Sequence, residues 1–179
     1  MNIKDDQLYI LGEPVRINRV VDKVSAVIVD GKDVWFHMCD IENEEEFVML
    51  LRSWLNKLSL EILPPIFDEV YEEYKMWIKK KPKLKLFWDN TLWSRCNSTR
   101  GRLYLSKELI MFPEECIKMR VIYEFCNYLT DNHNDKVYSV LEHFCPEWER
   151  IYSVFLEYEE KLPVVFGNSK GNKQMSSDE

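Results

Sequence analysis

Residues 113–130 read PEECIKMRVIYEFCNYLT, and this stretch predicts the central helix of the fold. Pro113 suits a first helical position, because the N–H that proline lacks would have no partner there. Glu114 and Glu115 follow, where carboxylates interact favourably with the positive end of the helix dipole. Apolar side chains then recur at helical spacing, namely Ile117, Val121, Phe125, Tyr128 and Leu129. We therefore predict one amphipathic helix that ends at about Thr130.

Two further helices are predicted downstream of a polar break at residues 131–135. The first ends at Cys145–Pro146, and its apolar side chains are Val137, Val140, Leu141 and Phe144. The apolar side chains of the last helix are Trp148, Ile151, Tyr152, Phe155 and Leu156. Residues 167–179 are polar apart from Met175 and predict a disordered tail. Residues 1–166 are expected to form a single domain.

Upstream, residues 84–88 and 102–105 predict a pair of strands around a loop from Asp89 to Gly101. An earlier helical stripe consists of Phe47, Leu50, Leu51, Trp54, Leu55 and Leu58. Pro64–Pro65 is expected to interrupt that helix, and a second helix then continues through Ile66, Val70, Tyr74 and Trp77.

The first forty residues alternate in short apolar runs and contain the turn signal Asp30–Gly31. They predict an antiparallel β meander. The order of strands, helices, a strand pair and more helices predicts an α+β fold.

Composition excludes several classes of protein. The formal net charge is −7, with 24 basic and 31 acidic residues, so nucleic acid is not expected as a partner. The basic cluster Lys79–Lys85 is interpreted as a solvated connector. The alternatives are phosphate binding and a nucleic-acid-associated role of this cluster, which salt-dependent binding would reveal. No apolar run is long enough to span a membrane, and the N-terminus lacks the pattern of a signal peptide. Five cysteines without a CxxC pair are typical of a reduced, cytoplasmic protein.

Several segments, taken in order, are similar to the YgjP-like zinc metallopeptidases, which are related to SprT. They are WSRCNS at 93–98, GRLYL at 101–105, ELI at 108–110, PEE at 113–115 and PEW at 146–148. The resemblance covers roughly residues 8 to 160. It implies a zincin-like active-site helix at residues 113–130. It also implies that Trp93, Cys96 and Asn132 lie beside the substrate cleft.

The sequence departs from the family pattern at the chemistry itself. The family has H-E-L-x-H on the active-site helix and a third histidine in a following N-H-S segment. Here Tyr123 and Asn127 occupy the positions of the first two histidines. Glu124 matches the general base, and Asn132–His133 matches the N-H pair. The resemblance therefore leaves His133 as the single zinc ligand of the three.

These residues are poor zinc ligands. Tyrosine binds a metal well only as phenolate, and its ordinary pKa is about 10. The carboxamide of Asn127 suits calcium or magnesium better than zinc. Zinc lowers the pKa of bound water from 15.7 to about 7, which is worth on the order of 12 kcal/mol. A general base such as Glu124 contributes about 10²–10⁴-fold and cannot replace this effect.

The favoured interpretation is a catalytically inactive relative without a cofactor, which binds an unidentified protein or peptide. Tyr123 is then expected to fill the position of the metal, and Glu124 is a vestigial base. The alternative is an active metal-dependent hydrolase that uses Glu124 as general base, with His133 and non-standard ligands on zinc.

Overall fold

The computed structural model describes residues 7–88, 92–130 and 134–161. Its first four strands are β1 (Gln7–Ile10), β2 (Glu13–Val21), β3 (Ala26–Asp30) and β4 (Asp33–Met38), and they form one sheet in the order β1-β2-β4-β3. The β1–β2 and β3–β4 pairs are antiparallel, as expected of a meander, but β2 and β4 pair in parallel. Asp33 stabilises this pairing, because its carboxylate accepts hydrogen bonds from Arg16 and Asn18 of β2 at 2.6 and 3.2 Å.

The next element is one long helix, α1 (Glu44–Tyr74), so the predicted break at Pro64–Pro65 is wrong. Asn43 caps its N-terminus, where its side chain accepts a hydrogen bond from the amide of Glu46. The two prolines remove donors to the carbonyls of Leu60 and Glu61, which belong to exposed residues that water can reach. Buried side chains on both sides of the prolines hold the helix on the core, namely Leu63, Ile66, Phe67 and Val70.

The second sheet has three strands, β5 (Lys83–Phe87), β6 (Ser94–Asn97) and β7 (Arg102–Ser106), in the order β5-β7-β6. β5 and β7 confirm the predicted strand pair and run parallel. β6 lies where a loop was predicted, and it pairs antiparallel with β7. Its sequence, SRCN, has neither an apolar alternation nor β-branched residues, so its pairing depends on contacts that β7 and the helices provide.

A 3₁₀ helix (Lys107–Met111) leads into α2 (Glu114–Thr130), α3 (Asn134–Phe144) and α4 (Trp148–Lys161). These three helices confirm the predicted ones. Contacts surround α2 on several sides, because it packs against α1, α3, α4 and β6. An almost continuous run of α2 is therefore buried, comprising Cys116, Ile117 and residues 119–127.

The turn between β1 and β2 packs the first sheet against the start of α2. Gly12 has a φ of +80°, and a Cβ atom there would lie 2.8 Å from the ring of Pro113. Its carbonyl accepts a hydrogen bond from the Tyr158 hydroxyl at 2.9 Å, and the neighbouring Leu11 amide donates to the Ile110 carbonyl at 2.7 Å. The first sheet, α2 and α4 are thus joined at one point.

Candidate functional site

The predicted site lies in the most deeply buried part of α2. Glu124 is 1% exposed, Tyr123 2% and Asn127 5%. Helical spacing places residues four apart on the same face, so Tyr123 and Asn127 share a face of α2. The structure brings Glu124, Tyr123 and Asn127 together. Asn132 and His133 lie outside the described residues.

Glu124 has polar partners on both carboxylate oxygens. The Ser94 hydroxyl of β6 donates to Oε1 at 2.6 Å, and the Asn127 amide donates to Oε2 at 3.4 Å. Burial raises the pKa of Glu124, whereas the nearby Arg120 charge and these two hydrogen bonds act in the opposite direction. The carboxylate is thus a member of an internal polar network.

Arg120 completes this network one helical turn before Glu124. Its Nη2 donates to the Ser94 hydroxyl at 2.7 Å, so that hydroxyl bridges the guanidinium and the carboxylate. The side chain is 1% exposed, and burial lowers the pKa of Arg120 while Glu124 acts to raise it. Burying two charged side chains that a hydroxyl bridges costs desolvation, which only close partners offset.

Not all donors of Arg120 are satisfied by hydrogen bonds. Its Nε and Nη1 atoms are buried, and neither has a hydrogen-bond partner among the residues that the structure describes. The guanidinium instead lies over two aromatic rings, with Cζ 5.3 Å from the centre of the Tyr123 ring and 5.7 Å from that of Phe155. Cation–π attraction to these rings offsets part of the desolvation cost.

Tyr123 is an aromatic core residue at the position of the first family histidine. Burial raises its pKa to about 12, and Tyr138 and Glu124 act in the same direction. Its ring lies 6.4 Å from that of Tyr138, which in turn lies 5.4 Å from Trp148. At neutral pH the side chain is therefore a neutral phenol packed among rings of α3 and α4.

These residues do not fit zinc. Tyr123 stays protonated, Asn127 offers a neutral amide, and Glu124 is bonded to Ser94 and Asn127. Zinc sites use thiolate, imidazole or carboxylate ligands, usually four in tetrahedral geometry. Within residues 7–88, 92–130 and 134–161, no three His, Cys, Asp or Glu side chains are grouped so that they could hold a metal ion.

The two remaining predicted cleft residues lie at β6. Trp93 immediately precedes this strand and is buried, and its indole N–H donates to Glu159 of α4 at 2.9 Å. Its ring packs edge-on against Phe112 and Phe155. Cys96 is partly buried within β6, so its predicted place in a loop is wrong. β6 itself packs against α2, which places both residues beside the Glu124 network.

A comparison with protein families now adds to this geometry. The sequence model described as "YgjP-like, metallopeptidase domain" matches residues 2–156. The chain belongs to this family. The match extends over both sheets and all of α1, α2 and α3, so the matched residues include those of the network around Glu124. No curated protein matches the chain. None of the described helices is both long and apolar enough to cross a membrane.

Sequence reasoning missed two members of the site, Arg120 and Ser94. Arg120 had a detectable signal, because it lies four residues before Glu124 and therefore shares its helix face. Ser94 had none, since its role depends on β6, a strand that the sequence pattern does not predict. In this YgjP-like chain, Ser94 of the second sheet supplies the hydroxyl that hydrogen-bonds to both Arg120 and Glu124.

Proposed function

We propose that this YgjP-like chain has lost the zinc chemistry of its family and acts as a protein- or peptide-binding module. The observation that carries the proposal is the bridge between Arg120 and Glu124 through the Ser94 hydroxyl. A general base must reach the water it deprotonates. Glu124 is buried and bonded to its neighbours, which suits a structural role.

The two lost ligand positions support the same proposal. Tyr123 and Asn127 are both buried, so neither offers an open coordination site to solvent. Because Tyr123 and Asn127 replace the first two family histidines, His133 is the one family ligand that remains in the sequence. A single imidazole with neutral oxygen donors is a weak zinc site.

We place the peptide site beside α2, along β6. Among the described strands, β6 is an edge strand of the second sheet, and it packs against α2. Extended peptides commonly bind by adding a strand to such a sheet, and side-chain pockets then supply specificity. Tyr128 of α2 lies near the turn between β6 and β7, where its hydroxyl is 4.0 Å from the position that a Cβ on Gly101 would occupy.

The test uses one unfolded polypeptide, fluorescein-labelled, reduced and carboxymethylated α-lactalbumin, as both ligand and substrate. We expect a rise in fluorescence anisotropy with added protein, unchanged by EDTA, and no new fragments on a gel. To locate the site, the photo-crosslinking residue p-benzoylphenylalanine replaces Tyr128 in one variant and Tyr9 in a matched control. Both tyrosines are half-buried, and Tyr9 belongs to β1 of the other sheet.

We expect cross-links from position 128 and few from position 9. Absence of binding would contradict the proposed module, and equal cross-linking at both positions would contradict its location. Cleavage that EDTA abolishes and zinc restores would instead establish the alternative, a hydrolase that uses Glu124 and His133.

A further inference from the structure

The second sheet concentrates positive charge on its exposed face. Strand register aligns Lys83 with Arg102 and Asn97, and it aligns Lys85 with Tyr104 and Arg95. Side chains at aligned positions share one face of a sheet. The opposite face is apolar, because Leu103 and Leu105 are fully buried and Leu84 and Leu86 pack on the core. The cations therefore face away from the core.

A fifth cation, Arg100, lies in the turn before β7, and we define the basic face as Lys83, Lys85, Arg95, Arg100 and Arg102. Residues 83–88 and 92–106 contain these five cations and no carboxylate. None of the five forms an ion pair with a described carboxylate. In a chain of net charge −7, this is a marked local excess of positive charge.

Aromatic rings are interleaved with these charges. The Arg95 guanidinium lies over the Tyr104 ring at 4.5 Å and over Phe87 at 5.8 Å, and the two rings are 6.4 Å apart. Interaction with Arg102 lowers the pKa of Tyr104, and the charges of Arg95 and Arg100 act in the same direction. The cations thus converge on a partly exposed aromatic centre.

We propose that the basic face binds single-stranded nucleic acid. Proteins that bind single strands combine a positively charged surface with aromatic rings or arginine planes on which bases stack. Tyr104, Phe87 and Arg95 offer such planes, and the remaining cations contact phosphates. The negative net charge of the whole chain argues against a nucleic-acid partner. Composition does not reveal, however, that the second sheet places its cations together on one face.

A membrane surface fits the same face less well. Peripheral membrane binding uses exposed apolar side chains that insert among the lipids. The large exposed hydrophobic residues of the described chain include Val21, Ile28, Met76, Trp77 and Tyr138, and none lies between residues 83 and 106. Duplex DNA is also less suitable, because its bases are already stacked and cannot lie on Tyr104.

The experiment titrates the full-length protein into 5′-fluorescein-labelled, mixed-sequence 20-nucleotide DNA and RNA single strands, followed by fluorescence anisotropy. With four phosphates neutralised, the slope of log K against log salt is about −3, so affinity falls about 50-fold from 50 to 200 mM salt. The double variant Lys85→Glu/Arg95→Glu should bind about 10-fold more weakly and with a shallower slope. Tyr104→Leu should weaken binding at least about 5-fold, because a stacking plane is lost.

The control for charge reversal is Lys23→Glu, which makes half the charge change of the double variant at an exposed lysine between β2 and β3. It should bind as the wild type does. The proposal is overturned by the absence of binding at 50 mM salt, by equal losses in Lys23→Glu, by equal affinity for duplex DNA, or by tighter binding to phosphatidylserine vesicles. Circular dichroism verifies that each variant folds. Lys85→Glu alone changes β5, at the edge of the sheet opposite β6, and should weaken nucleic-acid binding while α-lactalbumin binding stays unchanged, which separates this surface from the peptide site.

Discussion

Arg120 and Glu124 lie one turn apart on α2, and the hydroxyl of Ser94 accepts from the first at 2.7 Å and donates to the second at 2.6 Å. Both charged side chains are 1% exposed. The family resemblance implies a general base at the position of Glu124. Here the same carboxylate is part of the packing between α2 and β6.

A double-mutant cycle tests whether the two charges depend on each other. Arg120→Met and Glu124→Gln should each lower the free energy of unfolding by about 3–5 kcal/mol, because each leaves a buried partner without its counter-charge. The double variant should lose clearly less than the sum, and urea denaturation measures all three values. Additive losses would show that Arg120 and Glu124 do not stabilise each other.

Reversion of the two lost ligands tests their assignment. We expect Tyr123→His/Asn127→His to bind zinc, since histidines four residues apart on a helix can reach one ion and His133 supplies a third. Isothermal titration with zinc measures this, and the further change His133→Ala should weaken binding strongly. Cleavage of α-lactalbumin should stay absent, because Arg120 and Ser94 still hold Glu124. A folded double variant that fails to bind zinc would refute the assignment of positions 123 and 127.

Alkaline pH should destabilise the fold. Burial raises the pKa of Cys116, Cys126 and Tyr123 to about 12, above their ordinary values of 9 and 10. A raised pKa favours the protonated folded state, so this stabilisation is complete below about pH 9 and is lost as pH rises toward 12. Urea denaturation at about pH 7, 9 and 11 should give falling midpoints. Cys126→Ala should show a smaller fall between pH 9 and 11, and an unchanged midpoint in the wild type would contradict the argument.

Two exposed prolines, Pro65 inside α1 and Pro146 before α4, give opposite predictions. Pro65 is exposed and interrupts helical hydrogen bonding, so Pro65→Ala should raise the free energy of unfolding by about 1–2 kcal/mol. Pro146 is exposed in the turn before α4, where Pro146→Ala should lower it by about 0.4–1 kcal/mol through the entropy of the unfolded chain. Thermal unfolding measures both values. Destabilisation by Pro65→Ala would mean that proline suits this helix.

The sequence predicted α2, α3 and α4 because their apolar side chains repeat at helical spacing and their ends carry clear signals at Pro113 and Cys145–Pro146. It failed at Pro64–Pro65 for a tertiary reason. Leu63, Ile66 and Phe67 are buried on either side, and their packing outweighs the two lost hydrogen bonds. Local helix propensity does not include the free energy of this packing.

The sheets show the same division. Short apolar runs located all four N-terminal strands, but they did not indicate that β2 and β4 pair in parallel, where Asp33 meets Arg16 and Asn18 across the sheet. β6 has no strand pattern and forms because β7 and α2 lie beside it. The family resemblance placed Glu124, Tyr123 and Asn127 on one helix. It could not place Ser94, whose contact crosses 30 residues of sequence.

The central claim is the loss of zinc, and the most direct measurement is the zinc content of protein purified without chelator. Inductively coupled plasma mass spectrometry gives the number of zinc ions per chain for the wild type and for His133→Ala. We predict far less than one zinc ion per chain in the wild type and no further decrease in His133→Ala. About one zinc per chain in the wild type, lost in His133→Ala, would contradict the account.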